Sequence, residues 1–405
     1  MNKNIKKIDG GVCAVSDVKA GGIREGKYGL SIISFPKSMA VGVFTTNKII
    51  AAPVKHTKNI VENNDLKAIV ANSGNANCFT GSKGEEDCKN IVKSVSNKLK
   101  IDKNEIAIAS TGVIGRKMPM KIMNKLIENI KLENSNKASN NSAKAIMTTD
   151  TVPKECSIEI TLNNGAKVKI GGICKGIGMI APNMATMLCF ITTDAKIEDK
   201  KLLNQSLKDA VDKSFNMVVV DGDESTNDEV ILVSTGKVDV LDDEVLDPNF
   251  QEGLNHLCTR LAKMIAKDGE GATKFLEVTV DGAKTYEDAK ITAKSVISSP
   301  LVKTAIFGGD PNWGRIVAAI GYSGVDFNPD NISIAISNKK KKVDLVKNSE
   351  ILGFEGTDNL KQAEKLMQSK NIKILVDLHI GDENATGFGC DLTYDYVKIN
   401  SEYTT

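Results

Sequence analysis

Seven short segments of the sequence are dense in Gly, Asn, Thr and Asp and are flanked by apolar runs that are typical of strands. Polar loops at strand ends are where rigid scaffolds usually carry binding and catalytic groups. One such segment alone is better explained as an ordinary turn, but seven in one chain favour a functional site. They are SGNANCFTG (73–81), ASTGVIG (109–115), MTTDT (147–151), KGIGMIAPNMATMLCFITTDA (175–195), DGDESTND (221–228), KDGEGATKF (267–275) and FGGDPNWGR (307–315).

The segment 175–195 suits nucleophilic chemistry. Pro182 fixes its own backbone and restricts the residue before it, and Ala185 and Thr186 then lead directly into the apolar run 187–191. A hydroxyl held at the mouth of a buried strand can attack the carbonyl of the preceding residue. The resulting acyl shift, followed by hydrolysis, frees an N-terminal threonine whose own amine, with a pKa near ~8, acts as the base. A threonine that opens a strand is commonplace, so the spacing alone leaves a structural role open.

Histidine and cysteine usage argues against several other reaction types. The three histidines, His56, His256 and His379, lie in no recognisable catalytic or metal-ligand pattern. The eight cysteines include no C-x-x-C pair, and in a reducing compartment such residues are usually small buried apolar groups.

Two segments partly resemble known binding loops but lack residues that those loops require. DGDESTND begins like a calcium loop at Asp221 and Asp223, but its sixth position is Thr226 instead of glycine and its twelfth is Leu232 instead of glutamate. The glycines of KDGEGATKF fit neither the dinucleotide-binding nor the P-loop pattern. We therefore predict neither a metal nor a bound cofactor.

The composition limits the class of protein. The chain has 405 residues, 26% of them charged, and a formal net charge of +2. Balanced charge gives no field that attracts nucleic acid or an anionic membrane. The basic start of the chain lacks the apolar core of a secretory signal, and no run approaches the ~20 apolar residues of a membrane span. We expect a soluble, cytoplasmic protein.

Strands and amphipathic helices alternate irregularly along the chain. Apolar periodicity predicts helices at 88–99, 202–215, 254–265 and 358–367, and strands at 68–71, 106–109, 187–192, 230–233 and 372–378. Alternating apolar residues around Asn164 and Gly165 predict a β-hairpin over 157–170. The Asn/Ser-rich stretch 132–142 predicts a surface loop. The pattern favours an α/β fold with helices covering sheets over a doubly wound parallel sheet.

Five of the polar segments together resemble the ornithine acetyltransferase (glutamate N-acetyltransferase) family of arginine biosynthesis, the ArgJ type. The matching motifs are STGVIG, KGIGMIAPNMATMLCFITTDA, GDESTND, KDGEGATKF and GGDPNWGR, and the similarity runs from GIREGKYGLSIISF (22–35) to Thr405. Ile177 stands where many relatives carry a small residue.

The resemblance implies a self-cleaving precursor. The chain is expected to split between Ala185 and Thr186 into an α chain, 1–185, and a β chain, 186–405, which fold together as one unit and pair as α2β2. The implied fold is of the α/β (α+β) class. It is a four-layer α-β-β-α arrangement, similar in outline to N-terminal nucleophile hydrolases.

The implied reaction is a ping-pong transfer of acetyl from N2-acetyl-L-ornithine to L-glutamate through acetyl-Thr186. The Thr111 hydroxyl and the Gly112 N–H match the oxyanion hole, whose donors are each worth roughly 2.7–4 kcal/mol in such enzymes. Acetyl-CoA serves some members as a second donor, and no residue decides that question here. The other substrate-binding positions are Thr149, Lys175, Glu270, Asn400 and Thr405.

The chemistry of these positions suits a zwitterionic amino acid. Lys175 and the hydroxyls suit a carboxylate, and Glu270 suits the distal ammonium of ornithine. Thr148 and Thr151 flank Thr149 and could exchange roles with it.

Several of these positions also have structural interpretations. Lys175 could be a solvated loop lysine, and Asn400 and Thr405 could form an ordered tail. In FGGDPNWGR we predict a structural role, with Trp313 as a packed anchor and Arg315 in a buried pair.

Two other function classes stay open. A hydrolase of the same fold would use water as the acceptor, although serine is typical at its nucleophile position, where this chain has Thr186. A non-enzymatic binding protein with a vestigial site would keep its chain uncleaved.

Overall fold

The structure is a computed structural model that describes residues 3–181, 187–242 and 245–402. Within these residues the strands are β1 (Ile5–Ile8), β2 (Lys19–Glu25), β3 (Tyr28–Phe44), β4 (Leu66–Asn75), β5 (Ile106–Val113), β6 (Lys154–Thr161), β7 (Lys167–Lys175), β8 (Leu188–Lys196), β9 (Val218–Val219), β10 (Glu229–Asp239), β11 (Leu241–Asp242), β12 (Val245–Leu246), β13 (Phe275–Ala283), β14 (Ser333–Ser337), β15 (Lys342–Lys347), β16 (Glu350–Ile351), β17 (Asn371–Asp377) and β18 (Glu383–Cys390). The helices are α1 (Ala52–Asn63), α2 (Gly81–Leu99), α3 (Met120–Asn129), α4 (Asn136–Ala145), α5 (Lys200–Asp212), α6 (Pro248–Lys267), α7 (Tyr286–Ser298), α8 (Pro300–Gly308), α9 (Trp313–Gly321), α10 (Asp358–Leu366) and α11 (Tyr394–Glu402). None of the helices in these ranges is long and apolar enough to cross a membrane.

A nine-stranded mixed sheet forms the centre of the molecule, in the order β1-β6-β7-β8-β10-β3-β4-β5, with β2 also paired to β3. Strand β3 belongs to both halves of this sheet. Its first part pairs with β2 and β4, and its second part, from Met39 to Phe44, pairs with β10. The change of partner follows Pro36, which has no N–H for a ladder hydrogen bond.

Both faces of these strands are apolar, and alternate residues belong to different cores. Val70 of β4 packs in a core with α2 and α3. Its neighbour Ile69 packs in a second core with Phe190 of β8 and Ile231 of β10. Ile191, next to Phe190, belongs to a third core with α5 and α6. Side chains of a strand point alternately to opposite faces, so the two halves of the sheet stack with helices outside. The predicted four-layer α-β-β-α fold is confirmed.

A second sheet of seven strands, in the order β16-β15-β14-β17-β13-β18-β9, extends this core. Helix α6 contacts β6 and β7 of the central sheet and also β9 and β18, so it lies between the two sheets, while α7 packs on β13 and β18. The sequence did not predict this sheet as a separate layer.

Elements with strong periodicity lie where the sequence predicts them. The helices predicted at 88–99, 202–215, 254–265 and 358–367 correspond to α2, α5, α6 and α10. The hairpin over 157–170 is formed by β6 and β7, whose last paired residues are Thr161 and Lys167. Pairing is nevertheless mixed, because β4 with β5, β8 with β10 and β13 with β17 are parallel.

The surface loop predicted at 132–142 is wrong, because α4 begins inside it at Asn136. The Ser135 side chain caps the helix by accepting the Ala138 N–H. Ser139 and Ser142 are fully buried, and Ser142 shares a hydrogen bond with Ser31 of β3. The helix therefore buries a face of small, partly polar residues, which apolar periodicity does not reveal.

A buried ion cluster of three charged side chains connects segments of the chain that are far apart in sequence. The Lys154 ammonium lies 2.7 Å from Asp150 Oδ1 and 2.5 Å from Asp268 Oδ2, and the three side chains are 0%, 0% and 7% exposed. Asp150 also accepts the Gly176 N–H. Burial by itself would raise the pKa of Asp150, but the charges of Lys175 and Lys154 hold it below its ordinary value. The cluster thus fixes the loops that carry Thr149 and Glu270.

Lys154→Met should destabilise the protein strongly. Removing one partner of a buried ion pair costs about 3–5 kcal/mol of unfolding free energy, since it leaves uncompensated charge. Without Lys154 the folded-state pKa of Asp150 should rise from its depressed value, because one of the two cations that lower it is gone. The parent loses the stability that comes from this depressed pKa as the pH falls, so the difference in unfolding free energy between parent and variant should shrink in the acidic range in which Asp150 binds a proton. Urea unfolding of variant and parent at equal concentration measures both effects.

Lys167→Met is the matched control, because the Lys167 ammonium pairs with Glu159 at the surface and its side chain is 64% exposed. Its loss should cost no more than about 1 kcal/mol. Equal unfolding midpoints for Lys154→Met and Lys167→Met would contradict the role given to the cluster.

Candidate active site

One cleft, here called the central cleft, contains about 220 Å³ of water-accessible space. Six of the residues that the sequence predicts for the site line it together. They are Thr111, Gly112, Thr149, Lys175, Glu270 and Asn400. The other three predicted positions, Ala185, Thr186 and Thr405, lie outside the described residues.

The predicted oxyanion pair lies near the end of β5, where β4 and β5 run parallel and Gly74 pairs with Gly112. Gly112 has φ 131°, and a Cβ there would come within 2.5 Å of the Asn75 nitrogen. Only glycine fits both the backbone angle and the close approach. The Thr111 hydroxyl accepts a hydrogen bond from Lys175 Nζ at 3.3 Å, so a cation lies beside the pair.

Lys175 ends β7 and is buried, with 3% of its surface exposed, so the interpretation as a solvated loop lysine is wrong. Burial lowers the pKa of Lys175, and the nearby Asp150 carboxylate counteracts this. When protonated, the Lys175 side chain offers a positive group to an anion bound in the cleft.

Glu270 joins residues that are far apart in sequence. Its carboxylate accepts hydrogen bonds from Thr149 Oγ1 at 3.0 Å and from Asn400 Nδ2 at 2.9 Å. A Cβ at Gly178 would lie 2.5 Å from the same carboxylate, so glycine there leaves room for it. Glu270 thus presents a negative group at the cleft, held from two sides.

The three neighbouring threonines have different positions. Thr148 and Thr149 both line the central cleft, and Thr149 contacts Glu270. Thr151 donates its hydroxyl and its N–H to Asp268 of the ion cluster instead. The exchange of roles left open for Thr151 is therefore not supported.

Sequence reasoning gave no role to several residues of the cleft wall, among them Asp221, Asp223 and Tyr396. Asp221 accepts the N–H groups of Met179 at 2.6 Å and of Ile180 at 2.8 Å, and so fixes a loop in which Met179 has φ 55°. Burial, together with the Asp221 and Asp223 carboxylates, raises the pKa of Tyr396. The aspartates lie in DGDESTND, whereas nothing near Tyr396 in the sequence marks it.

The residues directly after Thr186 lie next to Lys175, which lines the central cleft. Leu188, the first residue of β8, pairs with Lys175 in the antiparallel β7–β8 ladder. The preceding residue, Met187, is buried and donates its N–H to Asp228 Oδ1 at 2.8 Å. The residues that follow Thr186 are therefore held at the Lys175 end of the cleft.

The segment FGGDPNWGR does not line the central cleft. The Trp313 indole donates to the Gly353 carbonyl at 2.7 Å, which agrees with a packed anchor. The buried pair expected for Arg315 is wrong. Arg315 is only half-buried, and its guanidinium donates to the Leu301 carbonyl and to the Thr304 hydroxyl, both on α8.

Within the described ranges, no group of three or more His, Cys, Asp and Glu side chains is arranged to hold a metal ion. All eight cysteines are buried and unpaired, as predicted from their scatter. The central cleft therefore offers hydroxyls, backbone, one cation and several carboxylates for chemistry.

Comparison with known proteins agrees with the resemblance. The profile of the ArgJ family matches residues 15–405. The glutamate N-acetyltransferase of Methanothermobacter thermautotrophicus is 53% identical, over 99% of this chain and 99% of that protein. The glutamate N-acetyltransferase of Methanocaldococcus jannaschii is 54% identical, over 99% of this chain and 100% of that protein.

Among solved structures, an arginine biosynthesis bifunctional protein of Bacillus halodurans is 44% identical, with a TM-score of 0.48, over 53% of this chain and 98% of that chain. An ornithine acetyltransferase of Mycobacterium tuberculosis complexed with ornithine is 30% identical, with a TM-score of 0.40, over 44% of this chain and 98% of that chain. The family profile and the full-length identities lead to one conclusion: this chain belongs to the ArgJ family.

Proposed function

We propose that this protein is a glutamate N-acetyltransferase that moves acetyl from N2-acetyl-L-ornithine to L-glutamate. The observation that carries the proposal is the convergence of Thr111, Gly112, Lys175 and Glu270 on one cleft, in a chain of the ArgJ family. Curated relatives that are 53% and 54% identical over nearly the whole chain bear that name.

The proposed nucleophile is Thr186, freed by self-cleavage after Ala185. Two observations support it. Leu188 pairs with Lys175, and Lys175 contacts Thr111, so the chain just after Thr186 runs beside the proposed oxyanion donors. The few histidines also suit a nucleophile that uses its own α-amine as the base.

The reaction then has two halves. Thr186 Oγ attacks the acetyl carbonyl, its proton passes to the α-amine, and the C–N bond breaks as that proton reaches the leaving nitrogen of ornithine. The α-amine of glutamate next attacks the acetyl ester, and Thr186 Oγ leaves and recovers a proton. In both halves the Thr111 hydroxyl and the Gly112 N–H stabilise the negative oxygen.

The charges of the cleft suit the two amino acids. We assign Lys175 to the α-carboxylate that both share and Glu270, held by Thr149 and Asn400, to the distal ammonium that only ornithine carries. Thr405 is proposed as a further substrate contact. No bound cofactor enters this scheme, and acetyl-CoA remains a proposed second donor.

We also propose that the chains 1–185 and 186–405 stay together after cleavage, pair as α2β2 and work in the cytoplasm. Two strands that follow the proposed cut, β8 and β10, lie in the central sheet between β7 and β3, which precede the cut. Separating the chains would expose two of the apolar cores, which is strongly unfavourable.

Mass spectrometry of the purified protein tests the nucleophile. We expect two fragments that meet at Ala185 and Thr186, and a single intact chain for Thr186→Ala, because alanine has no hydroxyl for the acyl shift. Thr192→Ala, which removes a buried hydroxyl of β8 away from the cleft, is the control and should still be cut. An intact wild-type chain, or a cut elsewhere, refutes the assignment.

A transfer assay with labelled N2-acetyl-L-ornithine tests the reaction. Label should reach glutamate, and without glutamate little acetate should form. Release of acetate at the same rate with and without glutamate would instead support the hydrolase. A second assay, with acetyl-CoA as the only acetyl donor, tests whether the enzyme also acetylates glutamate from acetyl-CoA. An enzyme without this activity would form no N-acetylglutamate.

Glu270→Gln should lower kcat/KM for N2-acetyl-L-ornithine by about 10–100-fold, the range expected for losing a hydrogen bond to a charged group. The second half-reaction, from acetyl-enzyme to glutamate, should change much less because glutamate has no distal ammonium. Glu159→Gln, at a surface ion pair of β6, is the matched control. Equal losses in both half-reactions would argue against the assigned role.

A further inference from the structure

Asn227 lies in the wall of the central cleft and is only 4% exposed. Its amide nitrogen donates to the Ala76 carbonyl at 2.7 Å and to the Ser110 carbonyl at 2.9 Å. Its amide oxygen accepts the Thr226 hydroxyl at 2.7 Å. The orientation of the amide is well defined, because the reverse orientation would set its oxygen against two carbonyl oxygens. Asn227 therefore holds the residue directly before Thr111.

Asp228, the next residue, reaches a different element. It is fully buried, and its Oδ1 accepts the Met187 N–H at 2.8 Å. The N–H of Glu229 also donates to the Met187 carbonyl at 3.2 Å. Both main-chain polar groups of Met187 are thus fixed by two consecutive residues at the start of β10. Met187 is the residue directly after Thr186.

Asn227 lies in a bend and Asp228 directly precedes β10, and these two neighbours reach different elements. Asn227 reaches the ends of β4 and β5, and Asp228 reaches the start of β8. The backbone of the pair is itself tied down, because Thr45 of the β3 end donates its N–H to the Asp228 carbonyl and Ala51 donates to Thr226. The pair is a short, rigid link between two loops of the cleft.

We propose that Asn227 and Asp228 form a positioning clamp that sets the distance between the oxyanion donors at Thr111 and Gly112 and the nucleophile at Thr186. The proposal rests on the function proposed above and names two positioning residues for it. Neither residue needs to touch the substrate. A misplacement of about 1 Å between reacting groups can cost roughly 100-fold in rate.

The state of the Asp228 carboxyl fits an acceptor role. Burial raises the pKa of Asp228 well above its usual value, although the hydrogen bonds from the Met187 N–H and the Ser225 side chain counteract this. The amide oxygen of an asparagine has the same shape and can accept the Met187 N–H as the Asp228 carboxyl does, so Asp228→Asn keeps this contact. Asn227 has the opposite requirement, since both of its hydrogen bonds to carbonyls need N–H donors.

Single substitutions at Asn227 and at Asp228 test the clamp. Asn227→Asp should lower kcat for acetyl transfer roughly 100-fold with little change in KM, because the oxyanion donors shift while the amino-acid contacts remain. Asp228→Ala should lower kcat similarly, and Asp228→Asn should restore most of that loss. The fraction of cleaved chain and the midpoint of thermal unfolding are measured for each variant.

A kcat close to wild type in Asn227→Asp overturns the clamp, as does an Asp228→Asn variant that is as impaired as Asp228→Ala. A rise in KM that matches the fall in kcat/KM would indicate a role in substrate binding instead. If Asn227→Asp fails to fold, Thr226→Val, which removes the hydroxyl that orients the Asn227 amide, should still lower kcat, and an unchanged kcat overturns the clamp.

Failure of the proposed function has a separate signature. A wild-type protein without transfer activity refutes that function. The clamp is then judged by the extent of self-cleavage, which should fall in Asn227→Asp and Asp228→Ala and recover in Asp228→Asn. Equal cleavage in all variants overturns it.

Discussion

The antiparallel ladder between β7 and β8 is the interaction on which the site depends. It sets Lys175, the last residue of β7, opposite Leu188, the first residue of β8. Backbone hydrogen bonds fix this register, and a shift by one residue would turn every side chain of β8 to the other face. The apolar residues Phe190 and Ile191 would then enter the wrong cores. Core packing and site geometry therefore depend on the same register.

The central cleft has a positive group beside the end of this ladder and negative groups elsewhere in its wall. A buried ammonium lies beside the Thr111 hydroxyl, while Glu270, Asp221 and Asp223 belong to the wall. Lys154 pairs with both Asp150 and Asp268 beneath the loops and so offsets one of their two negative charges. At Asp221, hydrogen bonds from the backbone N–H groups of Met179 and Ile180 stabilise the carboxylate without a counter-ion.

Short-range sequence patterns predicted the elements that form mainly through interactions between neighbouring residues. The hairpin of β6 and β7 and the helix α6 follow from short-range alternation and periodicity, and the polar segments marked Thr111, Thr149, Lys175 and Glu270. Long-range features were not predictable from one sequence. Tyr396 enters the wall only because the chain folds back over residues 269–272, and α4 is stabilised by contacts with β2 and β3. The seven-stranded sheet depends on parallel pairing between strands far apart in sequence.

The path of β3 has a consequence for the growing chain. Its second part pairs with β10, whose paired residues end at Ser234, and β7 has β8 as its neighbour on one side. During synthesis the edge of β3 that pairs with β10 thus remains open until nearly two hundred further residues have followed β3, roughly ten to forty seconds at common elongation rates. Open, apolar strand edges invite pairing with other chains. We therefore expect slow completion of the central sheet to favour aggregation of newly made protein and to limit its yield on overproduction.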